Sequence, residues 1–281
     1  MRRKYTFNEC YFDKIDTEEK SYWLGFFFAD GCVRKNTFSC VLKSDDDYHL
    51  SRFLGAIDAN NVSLKYRDTA YNTRSVGFWI TSEHMVKMLN SMGFVERKTY
   101  VNSEYIFTRI PEELKIHFIR GYWDGNGCVK LRQNRFGDIG VVCLNEKLLT
   151  AFTEYFNNRA GDNRFSKVFK DINGYFRIVI CGEKAKTVCN WFYENCTVCL
   201  DRKYKKYLQF KTYTKNYRGI RQRKSGRYQV YIKVNYKQIT FGTYDTIREA
   251  VDVYNTIAPQ YNLPKQRYYG ESLLRSKERI A

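Results

Sequence analysis

No stretch of this 281-residue chain approaches the roughly 20 consecutive apolar residues that a helical membrane span requires, which argues against a helical membrane protein. The opening Met1-Arg2-Arg3-Lys4 runs into polar sequence with no apolar signal-peptide core. The expectation is a protein of the cytoplasm, in a bacterial or phage-infected cell. Acid is scarce: 30 aspartates and glutamates face 48 lysines and arginines, a formal net charge of +18. Such an excess is the footprint of a polyanion partner. Anionic lipid would satisfy the same charge, but without a spanning or anchoring segment nucleic acid is the better match. Histidine is absent beside Cys196-Thr197-Val198-Cys199, which has zinc-ligand spacing with Cys189 nearby. Without further ligands the pair is read as structural. The nine cysteines are odd in number, scattered and mostly set in apolar runs, as at Cys143 and Cys181, so they are expected to be reduced core residues rather than a disulfide frame. With 43% hydrophobic residues the chain has material for cores, and its length suits two or three domains.

Two phrases sit at corresponding places in two halves of the chain: Trp23-Leu24-Gly25-Phe26-Phe27-Phe28-Ala29-Asp30-Gly31 and Ile119-Arg120-Gly121-Tyr122-Trp123-Asp124-Gly125-Asn126-Gly127. Each places small residues one helical turn apart, Gly25 with Ala29 and Gly121 with Gly125. Glycine inside a helix costs about 1 kcal/mol relative to alanine, so its recurrence points to a close helix–helix approach. Asp30 and Asn126 then emerge together at the C-terminal ends, ahead of Gly31 and Gly127, which are expected to form left-handed caps. A carboxylate at the negative end of a helix dipole is disfavoured unless a cation joins it, and a divalent metal is the natural one. The duplication continues. Gly31-Cys32-Val33 matches Gly127-Cys128-Val129, and the basic phrases Glu96-Arg97-Lys98-Thr99-Tyr100 and Asp201-Arg202-Lys203-Tyr204 close the two copies. Asp30 precedes Lys98 by 68 positions and Asn126 precedes Lys203 by 77, so one unit has been built twice with a modest insertion.

The two phrases resemble the LAGLIDADG motif of homing endonucleases, and the resemblance spans about residues 15 to 205. It implies an α+β fold of two pseudo-symmetric αββαββα repeats. The motif helices would form the central interface, and the curved sheets a saddle for the DNA major groove. It further implies a divalent cation such as Mg²⁺ at the acidic motif position, which is Asp30 in the first half and Asn126 in the second. An amide oxygen can ligate a hard cation but brings no charge. Asp124, two residues back on the helix, points away from that end. Lys98 and Lys203, equivalent in the repeat, are candidates to position water or neutralise the phosphate.

The order of elements is read as helix, two strands, helix, two strands, helix, performed twice. Asp16 with Glu19 suits a capping box for the first motif helix, and Pro111 the entry of the second. Strand-like runs are expected over Cys32 to Leu42 and Gly140 to Leu144, and a further strand pair in each half ends in Val76 to Ile80 and Tyr175 to Ile180. Helices are expected near Tyr48 to Ile57, His84 to Met92, Lys147 to Phe156 and Ala185 to Tyr193. Arg34, Lys35, Arg67, Arg74, Lys130, Arg132, Arg135, Lys167, Lys170 and Arg177 fall in or beside these strands. One wet sheet face carrying them could meet phosphates and base edges.

From Lys203 to Tyr228 there are ten lysines and arginines and no acid, read as a basic linker over 204–216 that tracks the DNA backbone. After it, Arg218-Gly219-Ile220-Arg221-Gln222-Arg223, a Lys224-Ser225-Gly226 turn, Tyr228 to Val234, an Asn235-Tyr236 turn and Gln238 to Gly242 read as three short strands. A helix opened by Thr246 follows, with Ile247, Ala250, Val251, Tyr254 and Ile257 on one side. Alternation aims Tyr228, Val230 and Ile232 at the helix, with Gln229, Tyr231 and Lys233 on the open face. The segment resembles the AP2 DNA-binding domain in its Arg-Gly-Ile-Arg-Gln-Arg start, its Phe241-Gly242-Thr243-Tyr244-Asp245-Thr246 turn and its Glu249-Ala250 helix. The resemblance implies that Arg218, Arg221, Arg223, Tyr231, Lys233, Gln238 and Thr240 lie near DNA.

The domains expected are thus 1–110, 111–203, the linker 204–216, 217–270 and a tail 271–281. The function expected is site-specific, metal-dependent hydrolysis of double-stranded DNA by a monomer, slowed or biased to one strand by Asn126. Two alternatives stand beside it: a protein that binds DNA without cutting, and an RNA-splicing maturase. The added domain favours duplex DNA, because the major groove of A-form RNA is too narrow for a sheet.

Overall fold

The structure is a computed structural model describing residues 5–59, 61–68, 73–132, 135–212 and 217–266, with the side chains of residues 132, 135, 136 and 210–212 outside that description. The chain forms two compact units, Met1–Tyr213 and Thr214–Ala281.

The first unit opens with α1 (Glu18–Asp30), β1 (Gly31–Arg34), β2 (Thr37–Lys43), α2 (Asp47–Ala56), β3 (Lys65–Asp68), β4 (Arg74–Thr81), α3 (Glu83–Ser91) and the short α4 (Tyr105–Thr108). It repeats the plan as α5 (Lys115–Asn126), β5 (Gly127–Arg132), β6 (Arg135–Cys143), α6 (Glu146–Ala160), β7 (Val168–Lys170), β8 (Phe176–Cys181) and α7 (Gly182–Tyr193), then adds α8 (Asp201–Thr212). The strand orders β1-β2-β4-β3 and β5-β6-β8-β7 are identical, and every pairing is antiparallel. An α+β fold with the αββαββα order twice is therefore what the chain adopts. Alternation builds each sheet: along β8, Ile178 and Ile180 are buried while Arg177, Val179 and Cys181 are exposed. Apolar faces meet the helices. In the first half Phe27 packs on Phe53 and Phe38 at centroid distances of 4.3 and 5.0 Å, and in the second Trp123 packs on Phe192 at 5.6 Å.

Several local expectations are corrected. The α1 cap is Thr17, not an Asp16–Glu19 box: its hydroxyl accepts from the Lys20 amide at 3.2 Å, while Asp16, one residue too early, takes the Lys20 ammonium at 2.9 Å. Gly31 (φ −76°, ψ 162°) and Gly127 (φ −88°, ψ 174°) are extended and begin β1 and β5, so neither is a left-handed cap. Glycine is needed there for space. A Cβ on Gly31 would lie 2.7 Å from the Phe27 carbonyl oxygen, and one on Gly127 2.3 Å from Cδ1 of Trp123. A left-handed cap does end α6, at Gly161 (φ 61°). The strand-like run over Cys32 to Leu42 divides into the two strands β1 and β2, as the order of two strands after each motif helix anticipates, with Lys35 (φ 52°) in the turn between them.

The basic linker is corrected as well. Residues 201–212 are the helix α8, with Lys203 and Tyr207 only 2% and 1% exposed, because its apolar stripe docks back on the second half. Residues 213–216 of that linker and the 271–281 tail lie outside the described residues. All nine cysteines are free thiols, yet Cys10, Cys32, Cys128 and Cys181 are exposed. Cys181 follows a buried isoleucine, and strand periodicity turns it to the other face. Among the described residues no helix is long and apolar enough to cross a membrane.

The second unit orders its strands β11-β10-β9, with β9 at Ile220–Gln222, β10 at Tyr228–Val234 and β11 at Lys237–Tyr244, backed by α9 (Ile247–Ile257). Gly226 (φ 84°) makes one turn, and Asn235 and Tyr236 (φ 49° and 63°) the other. Thr246 and Glu249 form a reciprocal capping box for α9. Val230, Ile232 and Ile220 bury against Ala250, Val251 and Tyr254.

Candidate functional site

The site begins where α1 and α5 cross. A Cβ on Gly25 would fall 2.0 Å from the Phe118 carbonyl oxygen, and one on Gly121 2.0 Å from that of Tyr22. Toward the C-terminal ends, a Cβ on Gly125 would lie 2.4 Å from Cβ of Ala29 and 3.0 Å from Oδ2 of Asp30. Gly25, Ala29, Gly121 and Gly125 thus line one backbone-to-backbone seam, and Asp30 lies at its end, immediately before β1. Asn126 is the exposed last residue of α5, immediately before β5, and its amide is hydrogen-bonded to the Tyr122 hydroxyl.

Lys98 and Lys203 converge on these helix ends. Nζ of Lys98 donates to the Gly31 carbonyl at 2.5 Å. Nζ of Lys203 donates to the carbonyls of Trp123, Asp124 and Gly127 at 2.5, 2.6 and 2.7 Å. Lys203 thus bonds two carbonyls in the last turn of α5 and one at the start of β5, Lys98 bonds one at the start of β1, and each ammonium complements the helix dipole at that end. Burial pushes the Lys98 ammonium below its ordinary range and that of Lys203 down to about 8. Burial likewise raises the Asp30 carboxyl, with Lys203 and Lys98 opposing the shift. The lysines bond backbone carbonyls, so among the described residues the Asp30 carboxylate has charged neighbours but no closed ion pair.

Two residues that the sequence reading missed lie close enough to Asp30 to act on its charge, Asp46 and Arg202. Asp46 adds negative potential at Asp30, and its own carboxylate takes Nε of Arg202 through both oxygens at 3.1 Å. The signals were present, Asp46 in an Asp45-Asp46-Asp47 run and Arg202 in the closing phrase, but a charge run usually marks a solvated face. The Asp124 carboxylate is engaged elsewhere. It is fully buried and accepts from the hydroxyls of Tyr22 (2.8 Å) and Tyr193 (2.7 Å) and from the Leu200 amide (2.8 Å). Nearby, Arg120 donates to Glu18 at 2.8 Å and to the Phe192 carbonyl at 3.0 Å. These polar ties lock α5 to α1 and α7. Cys196 and Cys199 are hydrogen-bonded to each other, and among the described residues no third metal-ligating side chain joins them.

The open sheet faces carry part of the expected basic set. Arg34, Arg67, Arg74, Lys130 and Lys170 are exposed. Arg67 stacks on Trp79 at 4.9 Å, Lys167 on Phe169 at 4.6 Å and Lys170 on Phe176 at 5.3 Å, which stiffens their side chains over the sheet. Arg34, Arg74 and Arg177 each have an acidic neighbour, Glu96, Asp68 and Asp171. Lys35 sits in the β1–β2 turn, and the side chains of Arg132 and Arg135 lie outside the described residues.

In the second unit, Tyr231 pairs with Thr240 and Lys233 with Gln238 across β10 and β11, while Gln229 pairs with Arg221. One face of that sheet therefore holds Arg221, Tyr231, Lys233, Gln238 and Thr240. Gln229 shares the face but is 6% exposed rather than open, because Nε of Arg221 donates to its Oε1 at 2.7 Å and the guanidinium lies 5.6 Å over the Tyr231 ring. Arg223 is exposed in the turn, and Arg218 lies beside the Tyr254 hydroxyl on the helix side, apart from the others.

Among solved structures the chain is similar to the homing endonuclease I-WcaI bound to its DNA recognition sequence, at 12% identity over 74% of this chain and 92% of that one, TM-score 0.45. It is also similar to I-DmoI in complex with DNA and Ca (13% identity, 72% and 99% covered, TM-score 0.45). A third is full-length DUF199/WhiA from Thermatoga maritima (12%, 75% and 67%, TM-score 0.42). No family model matches, and no curated protein matches.

Proposed function

We propose that this chain is a metal-dependent endonuclease of the homing type, hydrolysing phosphodiester bonds of double-stranded DNA at a specific site as a monomer. The observation that carries this reading is the Asp30 carboxylate at the joined ends of two tightly crossed helices, flanked by Lys98 and Lys203 and leading into sheets with basic open faces. The donors fit one divalent cation. Mg²⁺ is held by one or two carboxylates together with substrate phosphates, and Asp30 with the Asn126 amide oxygen supplies the protein's share. Bound there, it supplies charge neutralisation at the phosphate and acidifies water.

The remaining work belongs to the chain itself. Lys98 and Lys203, fixed by backbone carbonyls, hold positive charge beside the reacting phosphate without reorganising. Arg34, Lys35, Arg67, Arg74, Lys130, Arg132, Arg135, Lys167, Lys170 and Arg177 contact phosphates and base edges along the two sheets. The second unit, AP2-like in this reading, adds a major-groove contact through Arg221, Tyr231, Lys233, Gln238 and Thr240, with Arg218 and Arg223 at its margin. The repeats of 1–110 and 111–203 act as the two halves of one clamp. Because Asn126 is neutral, one strand is cut faster than the other.

The test selects a site from a random duplex library and offers it on supercoiled DNA with Mg²⁺. Cutting by the wild type and its loss in Asp30→Ala, with binding retained, is the expected outcome. Undiminished cutting by Asp30→Ala overturns the reading. Asn126 favours a second reading, binding without cleavage, and site-specific binding by a wild type that never cuts would establish it.

A further inference from the structure

Away from the helix ends, residues 5–13 run across the first half and bind it at several points. The Tyr5 hydroxyl accepts from the Thr81 amide at 2.9 Å, the Asn8 amide donates to the Ile57 carbonyl at 2.7 Å, and Ser82, which caps α3, donates to Glu9 at 2.5 Å. At the end of this strap, Cys10, Asp13 and His84 place a thiol, a carboxylate oxygen and an imidazole nitrogen within 4.8 Å of one another. We propose that these three residues bind one Zn²⁺-class transition-metal ion, which clamps the strap to the first turn of α3.

Four features support the site. Cys10 and Asp13 are separated by two residues, the spacing of two-ligand turns in zinc sites. The turn is formed already: the Asp13 amide donates to the Cys10 carbonyl at 3.0 Å, and the Cys10 amide to Oδ1 of Asn8 at 3.1 Å. Tyr11 and Phe12 between the ligands are 5% and 1% exposed, so the core grips the turn from beneath while both ligands face solvent. Nε2 of His84 lies 2.8 and 2.9 Å from the two Asp13 oxygens, so imidazole and carboxylate aim at the same space. Metal binding releases the Cys10 thiol proton to solvent, while the neutral His84 ring binds through Nε2 and keeps its proton on Nδ1. Mixed sulfur, nitrogen and oxygen donors select a borderline ion over hard Mg²⁺, and three protein ligands leave a fourth position for water. The site is independent of the proposed nuclease chemistry and serves the strap.

The experiment titrates the reduced full chain with Co²⁺ and then Zn²⁺, reading thiolate-to-cobalt absorption, and measures Tm with and without Zn²⁺. One equivalent of Co²⁺ is expected to give the charge-transfer band, with Zn²⁺ displacing it and raising Tm. Cys10→Ser should abolish the band. His84→Ala and Asp13→Asn should weaken binding by more than the ~10–100-fold typical of losing a ligand's outer partner, and should abolish the Tm response. The double variant Cys196→Ser/Cys199→Ser should bind as the wild type does. All three ligand residues are solvent-facing, and Tm without metal reports whether each variant folds. A band that survives Cys10→Ser, or no stoichiometric binding by the wild type, overturns the proposal.

Discussion

Gly121 meets the Tyr22 carbonyl so closely that a Cβ would fall 2.0 Å from the oxygen, and Gly25 meets the Phe118 carbonyl in the same way from the other helix. These contacts are backbone against backbone, so no side-chain rotation relieves them. Gly25→Ala or Gly121→Ala is expected to cost more than about 4 kcal/mol, the range reserved for severe core disruption. Gly55, near the end of α2, has nothing within 4 Å of its missing Cβ. Gly55→Ala should leave stability unchanged or raise it by about 0.5–1 kcal/mol. Denaturant unfolding of the three variants checks the contrast; equal effects would show that the seam is not as tight as described.

Lys203 closes three carbonyls and Lys98 one, although the two lysines are equivalent in the repeat. Replacing each by methionine keeps most of the stem and removes the donors. The expected loss is about 1–3 kcal/mol for Lys203→Met and about half that for Lys98→Met. The pH dependence gives a second signature. With its folded pKa lowered to about 8 from 10.5, Lys203 binds fewer protons folded than unfolded between those values. Stability contributed by this group therefore rises with pH across that window, and the rise should vanish in Lys203→Met.

Asp30 carries the opposite linkage. Burial raises its pKa in the folded state, so the folded chain holds its proton to higher pH than the unfolded chain does. The stability associated with the protonated form is present at low pH and lost as pH rises through the folded pKa. Asp30→Asn should therefore stabilise the metal-free protein at neutral pH by on the order of 1 kcal/mol, a common size for one stabilising change, while abolishing cleavage. Paired Tm and cleavage measurements decide it. A destabilised Asp30→Asn protein would mean that the carboxylate serves the fold.

How much of this was legible in the sequence differs by element. Glycine at Gly25 and Gly121 disclosed the seam because only contact explains glycine in mid-helix, and the duplicated phrases disclosed the repeat. The same residue type misled at Gly31 and Gly127, where contact with Phe27 and Trp123, not backbone conformation, excludes a Cβ. Helix α8 was hidden because its charge dominates its composition, whereas its docking depends on Lys203 and Tyr207, buried on one side. The Asp46–Arg202 pair joins residues 156 positions apart, and no local pattern reports such a contact.

Asn126 is the point at which the two halves differ in chemistry at equivalent positions. Its amide is exposed and bonded to the Tyr122 hydroxyl, so a carboxylate of the same shape fits there, and Lys203 already holds the carbonyl of the next residue, Gly127. Asn126→Asp adds the negative charge that hard cations prefer. In the proposed nuclease it should speed cutting of the slower strand by about tenfold or more, worth about 1.4 kcal/mol of barrier, while leaving the faster strand within a few-fold. The measurement follows supercoiled DNA to nicked circle and then to linear product under saturating Mg²⁺. Persistence of the nicked circle at the wild-type rate would show that missing charge is not what separates the two halves.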